Sequence, residues 1–308
     1  MGRFLILLMV FAALTVGRPG AGLALDTVMG NWKGSWKNEG EGEGDLSAQI
    51  IALGDGKYHG VFTASYGKTS IYQVPMAGET KGASVTFSGA VDLGADQGGV
   101  FEWTGEVREG AFHGKYTSKK DRGRFDMKHV QAEPPSLGAD PPEGAVTLFD
   151  GSSHDAWQQR DGSTPAWKLV DGAMEVAKGD IVTKQKFNDF KLHLEFRTPF
   201  MPEARGQGRG NSGVYLQARY EVQVLDSFGL EGKDNECGGI YRQHAPKVNA
   251  CLPPLEWQTY DIAFRAPRVR EGAVVEKARL TVVHNGTTIH DNVELDAPTP
   301  GGIDVDVA

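Results

Sequence analysis

The sequence predicts an all-β protein of two domains, an eight-stranded barrel-like unit followed by an antiparallel two-sheet sandwich. Three observations carry this reading. The 308-residue chain holds 41 glycines and many short runs in which apolar and polar residues alternate. The runs are separated by turn chemistry, as at Gly54-Asp-Gly56, Arg108-Glu-Gly110, Asp171-Gly172 and Asn285-Gly286. No long segment repeats its apolar residues at the helical period of 3.6.

Taken in order, residues 1–24 read as a signal peptide. Arg3 supplies the positive start, Phe4 to Val16 the apolar run, and Gly22-Leu-Ala24 the small residues for cleavage. Thirteen residues are too few to span a bilayer comfortably, so no membrane association is expected after cleavage and the mature protein is expected to be secreted or periplasmic. Residues 26–130 contain eight β-like runs: 31–37, 46–53, 57–66, 70–76, 84–93, 100–107, 112–118 and 124–130. Sequential strands at this spacing suggest an up-and-down barrel or a strongly curled sheet. The opening Gly30-Asn-Trp32 is similar to the Gly-x-Trp of lipocalin-type barrels, with Trp32 and Trp36 read as core plugs. No catalytic set is visible in this half, where His59 and His113 stand alone.

Residues 131–144 hold Pro134, Pro135, Pro141 and Pro142 without periodicity, as an extended spacer would. The second domain covers residues 145–308. Its strand signals include Trp167–Val176 with a turn at Asp171-Gly172, the strict alternation Phe190–Arg197, Trp257–Phe264, and Leu280–Ile289 around Asn285-Gly286. The glycine-rich Arg205–Gly210 lacks a strand-to-helix context for phosphate and reads as a mobile loop. Between Val214 and Val224 the even positions are mostly apolar, while the odd ones are Tyr215, Gln217, Arg219, Glu221 and Gln223. A phenol, two amides, a guanidinium and a carboxylate on one strand face form a set that hydrogen-bonds sugar hydroxyls. So long a strand requires a break, expected as a hairpin turn near Ala218-Arg219.

The net charge of −8 argues against nucleic acid and anionic membrane as partners and suits a carbohydrate. Oligomeric state is not legible. Cys237 and Cys251, the only cysteines, could form a disulfide in an oxidising compartment but offer too few ligands for zinc.

Several motifs then converge. Leu148-Phe-Asp-Gly151, Leu192–Arg197, Gly210-Asn-Ser-Gly-Val-Tyr-Leu-Gln217, Tyr220-Glu-Val-Gln-Val-Leu-Asp-Ser227, Cys237-Gly-Gly-Ile-Tyr241, Glu256-Trp-Gln-Thr-Tyr-Asp261 and His284-Asn-Gly286 resemble the 3-keto-disaccharide hydrolase family (DUF1080), in the family's order from Ala145 onward. The resemblance implies a concanavalin A-like jelly-roll that acts on glycosides oxidised at C3. Members of that family continue with a further strand pair where this sequence reads Ile303–Ala308, so an unpaired sheet edge is expected there.

A C3 ketone acidifies the C2 proton; a base removes it, the C1 substituent is expelled, and water adds. Glu221 is the expected base, with Gln223 and Gln217 as donors and Asp226 sharing the site if a bulge turns it inward. Asn211, Tyr215, Tyr241 and Trp257 are candidate substrate contacts, and His193 and Glu195 join them if their strand face is concave. His284 reads as a residue flanking a turn. No cofactor is required; clustered carboxylates and amides could take a divalent cation, but their spacing does not demand one. Two alternatives remain at this point. Glu221-x-Gln223-x-x-Asp226 looks like a modified laminarinase-type retaining pair, though Gln223 and the short Asp226 disfavour it. The same polar face would also serve a lectin-like protein without turnover.

Overall fold

The computed structural model describes residues 3–8, 26–66 and 70–303. They are all-β apart from two short 3₁₀ turns. The chain divides into two compact units, Gly20–Ala132 and Glu133–Ala308 together with Met1–Pro19.

The first unit is a closed antiparallel barrel of β2 (Gly30–Asn38), β3 (Glu43–Gly54), β4 (Lys57–Tyr66), β5 (Ser70–Lys81), β6 (Ser84–Asp92), β7 (Val100–Arg108), β8 (Ala111–Thr117) and β9 (Arg122–Val130), numbered after β1 (Arg3–Leu8) of the other unit. Each strand pairs with the next and β9 closes on β2, so no edge is left open. All eight runs read from the sequence are present in up-and-down order. Alternation sends one side chain in two inward, and the interior is filled by Trp32, Trp36, Phe62, Phe87, Trp103, Phe112 and Phe125 among others. The indoles of Trp32 and Trp36 donate to the carbonyls of Val28 and Ser65, which satisfies their one polar atom inside the plug.

The second unit is built on a six-stranded sheet in the order β10-β1-β15-β18-β21-β22, from β10 (Val146–Thr147), β1, β15 (Phe190–Phe196), β18 (Gln258–Arg265), β21 (Ala278–His284) and β22 (Thr287–Leu295). Strand β1 runs parallel to both of its neighbours. It belongs to the segment read as a signal peptide, most of which lies outside the described residues. Two-stranded pieces complete the unit: β11 (Trp157–Gln159) with β14 (Ile181–Thr183), β12 (Lys168–Val170) with β13 (Ala173–Glu175), β16 (Ser212–Leu216) with β17 (Tyr220–Val224), and β19 (Arg268–Arg270) with β20 (Ala273–Glu276). Phe196, Tyr260, Ile262 and Phe264 form one buried face of the large sheet. The β16–β17 hairpin lies on that face, with Tyr220 against Phe264 at 5.9 Å and the Tyr260 hydroxyl donating to the Gln223 carbonyl at 2.7 Å.

Three expectations change. Residues 134–139 are not an extended spacer. Pro134 is buried, the segment turns on Leu137 N–H to Pro134 O, and it docks on the opposite face of the sheet. There the Ser136 hydroxyl meets Asp261 Oδ2 at 2.6 Å and Thr259 Oγ1 at 3.0 Å, and the Gly138 amide donates to Glu195. Second, Cys237 and Cys251 are free buried thiols. Cys237 Sγ lies 3.2 Å from the Tyr260 hydroxyl. Third, the chain up to Ile303 has partners, because Thr299 N–H and Ile303 N–H donate to the turn carbonyls of Arg219 and Ala218; the rest of the Ile303–Ala308 stretch lies outside the described residues.

The docked segment is held by an ionic group. His193 lies between Asp261, 2.6 Å from Nδ1, and Glu195, 3.4 Å from Nε2. Burial pulls the imidazole down, but the hydrogen bonds and charges of Asp261 and Glu195 outweigh it and raise His193 to about 9. Asp261 is pushed up by burial, yet the bonds from His193 and Ser136 hold it below its ordinary value. The histidine contribution is complete below its unfolded value of about 6.5 and is lost as pH rises through about 9. The aspartate contribution is present above its ordinary value and is lost as pH falls through the lowered one. We therefore expect the protection of the Gly138 amide, its exchange rate taken relative to the intrinsic rate at each pH, to be greatest in the mildly acidic window between these limits. Ser136→Ala should cost about 1 kcal/mol and speed that exchange; an unchanged rate would show that the contact is not formed.

Candidate active site

Hairpin β16–β17 pairs Gly213 with Gln223 and Tyr215 with Glu221, so these four share a face. Val214, Leu216, Tyr220, Val222 and Val224 are buried on the other. The turn is the three residues Gln217–Arg219 between the paired Leu216 and Tyr220; Gln217 and Ala218 are left-handed at φ 53° and 57°, and Arg219 N–H donates to the Leu216 carbonyl. Where two consecutive residues are left-handed elsewhere, as at Asp55-Gly56, Glu109-Gly110 and Asn285-Gly286, the second is glycine. The site hairpin has none, and a non-glycine residue there costs about 1–2 kcal/mol.

Glu221 is 8% exposed, and its carboxylate accepts the Tyr215 hydroxyl at 2.9 Å. Burial pushes the Glu221 carboxyl above its ordinary value; the Tyr215 bond pulls it back, and the charge of Asp180 adds to the rise. Tyr215 is raised by burial, then by its bond to Glu221 and that carboxylate's charge, so the phenol keeps its proton. Gly213 makes the arrangement fit: a Cβ there would collide with the Glu221 carboxylate. Its backbone needs no left-handed conformation, so here glycine provides space.

Gln223 is buried beside this pair, donating from Nε2 to Gln207 Oε1 at 2.9 Å. Gln207 in turn donates to the Asn235 carbonyl, which ties the glycine-rich loop down over the hairpin. Arg209 at the end of that loop forms a buried ion pair with Asp226, 2.6 Å from Nη2 and 3.1 Å from Nε. Asp226 is therefore a structural acid: burial pushes it up against the pull of Arg209, and no bulge turns it toward Glu221. The loop expected to be mobile is anchored at both residues.

The remaining candidates separate. Gln217 sits in the turn, where its amide holds the Phe187 carbonyl at 3.0 Å, and it does not line the site. Asn211 is exposed just before β16. Tyr241 adjoins the site through its backbone, donating to the Glu221 carbonyl at 3.0 Å, with Arg242 over its ring. Trp257 is half-buried under Arg197, 5.2 Å from the ring centre. His193 and Glu195 lie on the far face of the large sheet beneath residues 136–138. His284 is fully buried against Gln258 and lowered to about 3 by burial, a neutral core residue. Sequence reasoning missed Gln207, Arg209, Gly213 and Thr299, whose hydroxyl accepts the Glu221 amide at 3.0 Å. Of these, only the glycine in Asn211-Ser-Gly213 stood within the motif. Among the described residues no group of three or more His, Cys, Asp or Glu side chains is placed to hold a metal ion.

Two expectations test this geometry. Gly213→Ala should displace the Glu221 carboxylate and lower turnover by about 10² while the fold persists by circular dichroism. Ala218→Gly should relieve the turn and stabilise the protein by about 0.5–1 kcal/mol in urea melts.

No curated protein matches the chain. A candidate glycosyl hydrolase from Parabacteroides distasonis, known from its crystal structure, is 39% identical over 51% of this chain and 69% of its own, with a TM-score of 0.48. The sequence profile of the 3-keto-alpha-glucoside-1,2-lyase-like domain matches residues 144–305, more than half of the chain and all of the hairpin site. The protein thus belongs to the 3-keto-alpha-glucoside-1,2-lyase-like family and carries a glycoside hydrolase-like domain.

Proposed function

We propose that the protein is an exported enzyme that cleaves 3-keto-glycosides by elimination and hydration, with Glu221 as the base. The observation that carries this reading is the buried carboxylate of Glu221 held by a phenol rather than by a cation. A neutral donor leaves the carboxylate able to accept a proton, and its desolvation raises its basicity. Glu221 takes the proton from C2 as the C1–O bond breaks. The C–H electrons become the C1=C2 bond, conjugated with the C3 ketone, and the leaving oxygen takes its proton from water, whose hydroxide adds at C1 while Glu221 returns its proton to C2. Addition of water across C1=C2 then gives the free 3-keto sugar, so the net reaction is hydrolysis. Tyr215 holds the carboxylate of the base, and Gln223, tied to Gln207, lies beside it.

A retaining glycosidase needs a second acid with free oxygens, and Asp226 is occupied by Arg209. Elimination needs no such partner at that position. The family of the domain supports the same chemistry.

Purified protein should release free sugar from a 3-keto-disaccharide and leave the unoxidised disaccharide intact; cleavage of the latter alone would favour the glycosidase. Glu221→Gln should reduce the rate by at least about 10². Because Glu221 is raised, kcat/KM should fall on the acid side as pH drops through a value above the ordinary carboxylate range. Export by cleavage at Gly22-Leu-Ala24 would remove β1 from between β10 and β15, so the exported protein and the sheet that includes β1 are alternatives; sequencing the mature N-terminus, expected at Leu25, decides, and a retained Met1 would sink the export reading.

A further inference from the structure

The segment that follows β22 reaches both members of the Glu221–Tyr215 pair. Thr299 is 2% exposed and uses its hydroxyl twice: it accepts the Glu221 amide at 3.0 Å and donates to the Arg219 carbonyl at 3.1 Å. The Thr299 amide donates to the same carbonyl at 2.9 Å. The edge of β17 is therefore pinned at the residue that carries the carboxylate. Next in sequence, the Pro300 carbonyl accepts the Tyr215 hydroxyl at 2.8 Å. Gly301 is left-handed at φ 81°, and a Cβ on it would come 2.8 Å from the Tyr215 oxygen. A Cβ on Gly302 would collide with the Arg219 carbonyl. The run Thr299-Pro-Gly-Gly302 thus has the shape needed to lie against this hairpin.

Tyr215 has one proton and two acceptors, Glu221 Oε2 and Pro300 O. With Glu221 ionised, the phenol donates to the carboxylate. With Glu221 protonated, the carboxylic acid donates to the phenol oxygen and the phenol turns its proton to Pro300. In each state the phenol proton has an acceptor, so Tyr215 can follow the protonation of Glu221 without its hydroxyl losing a partner.

We propose that Thr299 and Pro300 are positioning residues of this site, holding the Glu221 backbone and supplying the second acceptor that lets Tyr215 follow the protonation of Glu221. The proposal rests on the elimination reading for its kinetic test, but not for its spectroscopic one. Thr299→Val keeps the shape and removes the hydroxyl; Thr299→Ser restores it. We expect Thr299→Val to lower kcat at least about tenfold, to leave KM within about twofold, and to shift the acid limb of the pH profile, with Thr299→Ser within about threefold of the parent.

The independent readout places 3-fluorotyrosine at position 215 and follows its ¹⁹F resonance against pH, without substrate. The resonance should titrate with Glu221, lose that titration in Glu221→Gln, and shift its midpoint in Thr299→Val but not in Thr299→Ser. An unchanged midpoint in Thr299→Val, or equal damage by Val and Ser, overturns the proposal. If the parent enzyme leaves 3-keto-glycosides untouched, the elimination reading fails while the titration still decides the role of Thr299. Should Thr299→Val not fold, Gly301→Ala displaces the Pro300 carbonyl from Tyr215, and the same midpoint shift or its absence decides.

Discussion

The carboxylate of Glu221 has been taken out of water, and much of the second unit answers that fact. An ionised carboxylate buried without partners is destabilised by several kcal/mol, whereas one hydrogen bond to a charged group returns about 1.5–3. Tyr215 alone does not close the gap, so the group binds a proton more readily than a free carboxylate. Asp226, five residues on, is buried still more deeply and has the opposite solution. Arg209 reaches it with two nitrogens and neutralises it. The first acid keeps a raised proton affinity and the second is fixed as a strut. Much of the loop architecture between Arg205 and Asn211 serves to keep them so, because Gln207 closes on Gln223 and Arg209 closes on Asp226.

The reverse face of the large sheet carries the other ionic group, and it works as an anchor. A histidine between two carboxylates, one also bound to a serine hydroxyl and the other to a backbone amide, has no free lone pair directed at a ligand. Its partners lie at His193↔Asp261 and Glu195↔Thr259 of one antiparallel pair, so the residues that grip the segment come from two adjacent strands in register. Such a cluster gives the proline-rich segment a fixed seat on the second unit.

How far these features could be read beforehand depended on the range of the interaction. The barrel was legible because its two signals are local: alternation at period two, and glycine in the second left-handed turn position. Alternation put Tyr215 and Glu221 on one face and a turn near Ala218-Arg219, but the pairing of the two depends on the three-residue turn Gln217–Arg219, which period two does not specify. The assignment of Asp226 failed because the strand ends at Val224, beyond which face counting has no meaning. Gln217 failed because the turn took it. His193 and Glu195 were placed on the correct strand face, but period two does not say which face is covered by another segment. The partners Arg209–Asp226, Gln207–Gln223 and Thr299–Glu221 are separated by 17, 16 and 78 residues, and no local pattern announces them. The cysteines lie in one buried region, yet sequence spacing does not fix how two thiols face one another.

The turn at Gln217-Ala218 shows why the hairpin is built as it is. Glycine at the second position would relieve the left-handed strain, as it does at Asp55-Gly56, Glu109-Gly110 and Asn285-Gly286. Here the turn has additional tasks. The Gln217 amide holds the segment at Phe187, and the Ala218 carbonyl receives Ile303 N–H, so both turn residues are bonded to distant parts of the chain. A glycine at 218 would keep that carbonyl but would widen the backbone freedom of the turn that sets the register of Tyr215 against Glu221. A slip of one residue would send both side chains to the apolar face. The strain at Ala218 is therefore best understood as stability given up for register: a stiffer turn, locked from both sides, keeps a phenol and a carboxylate directly opposite one another.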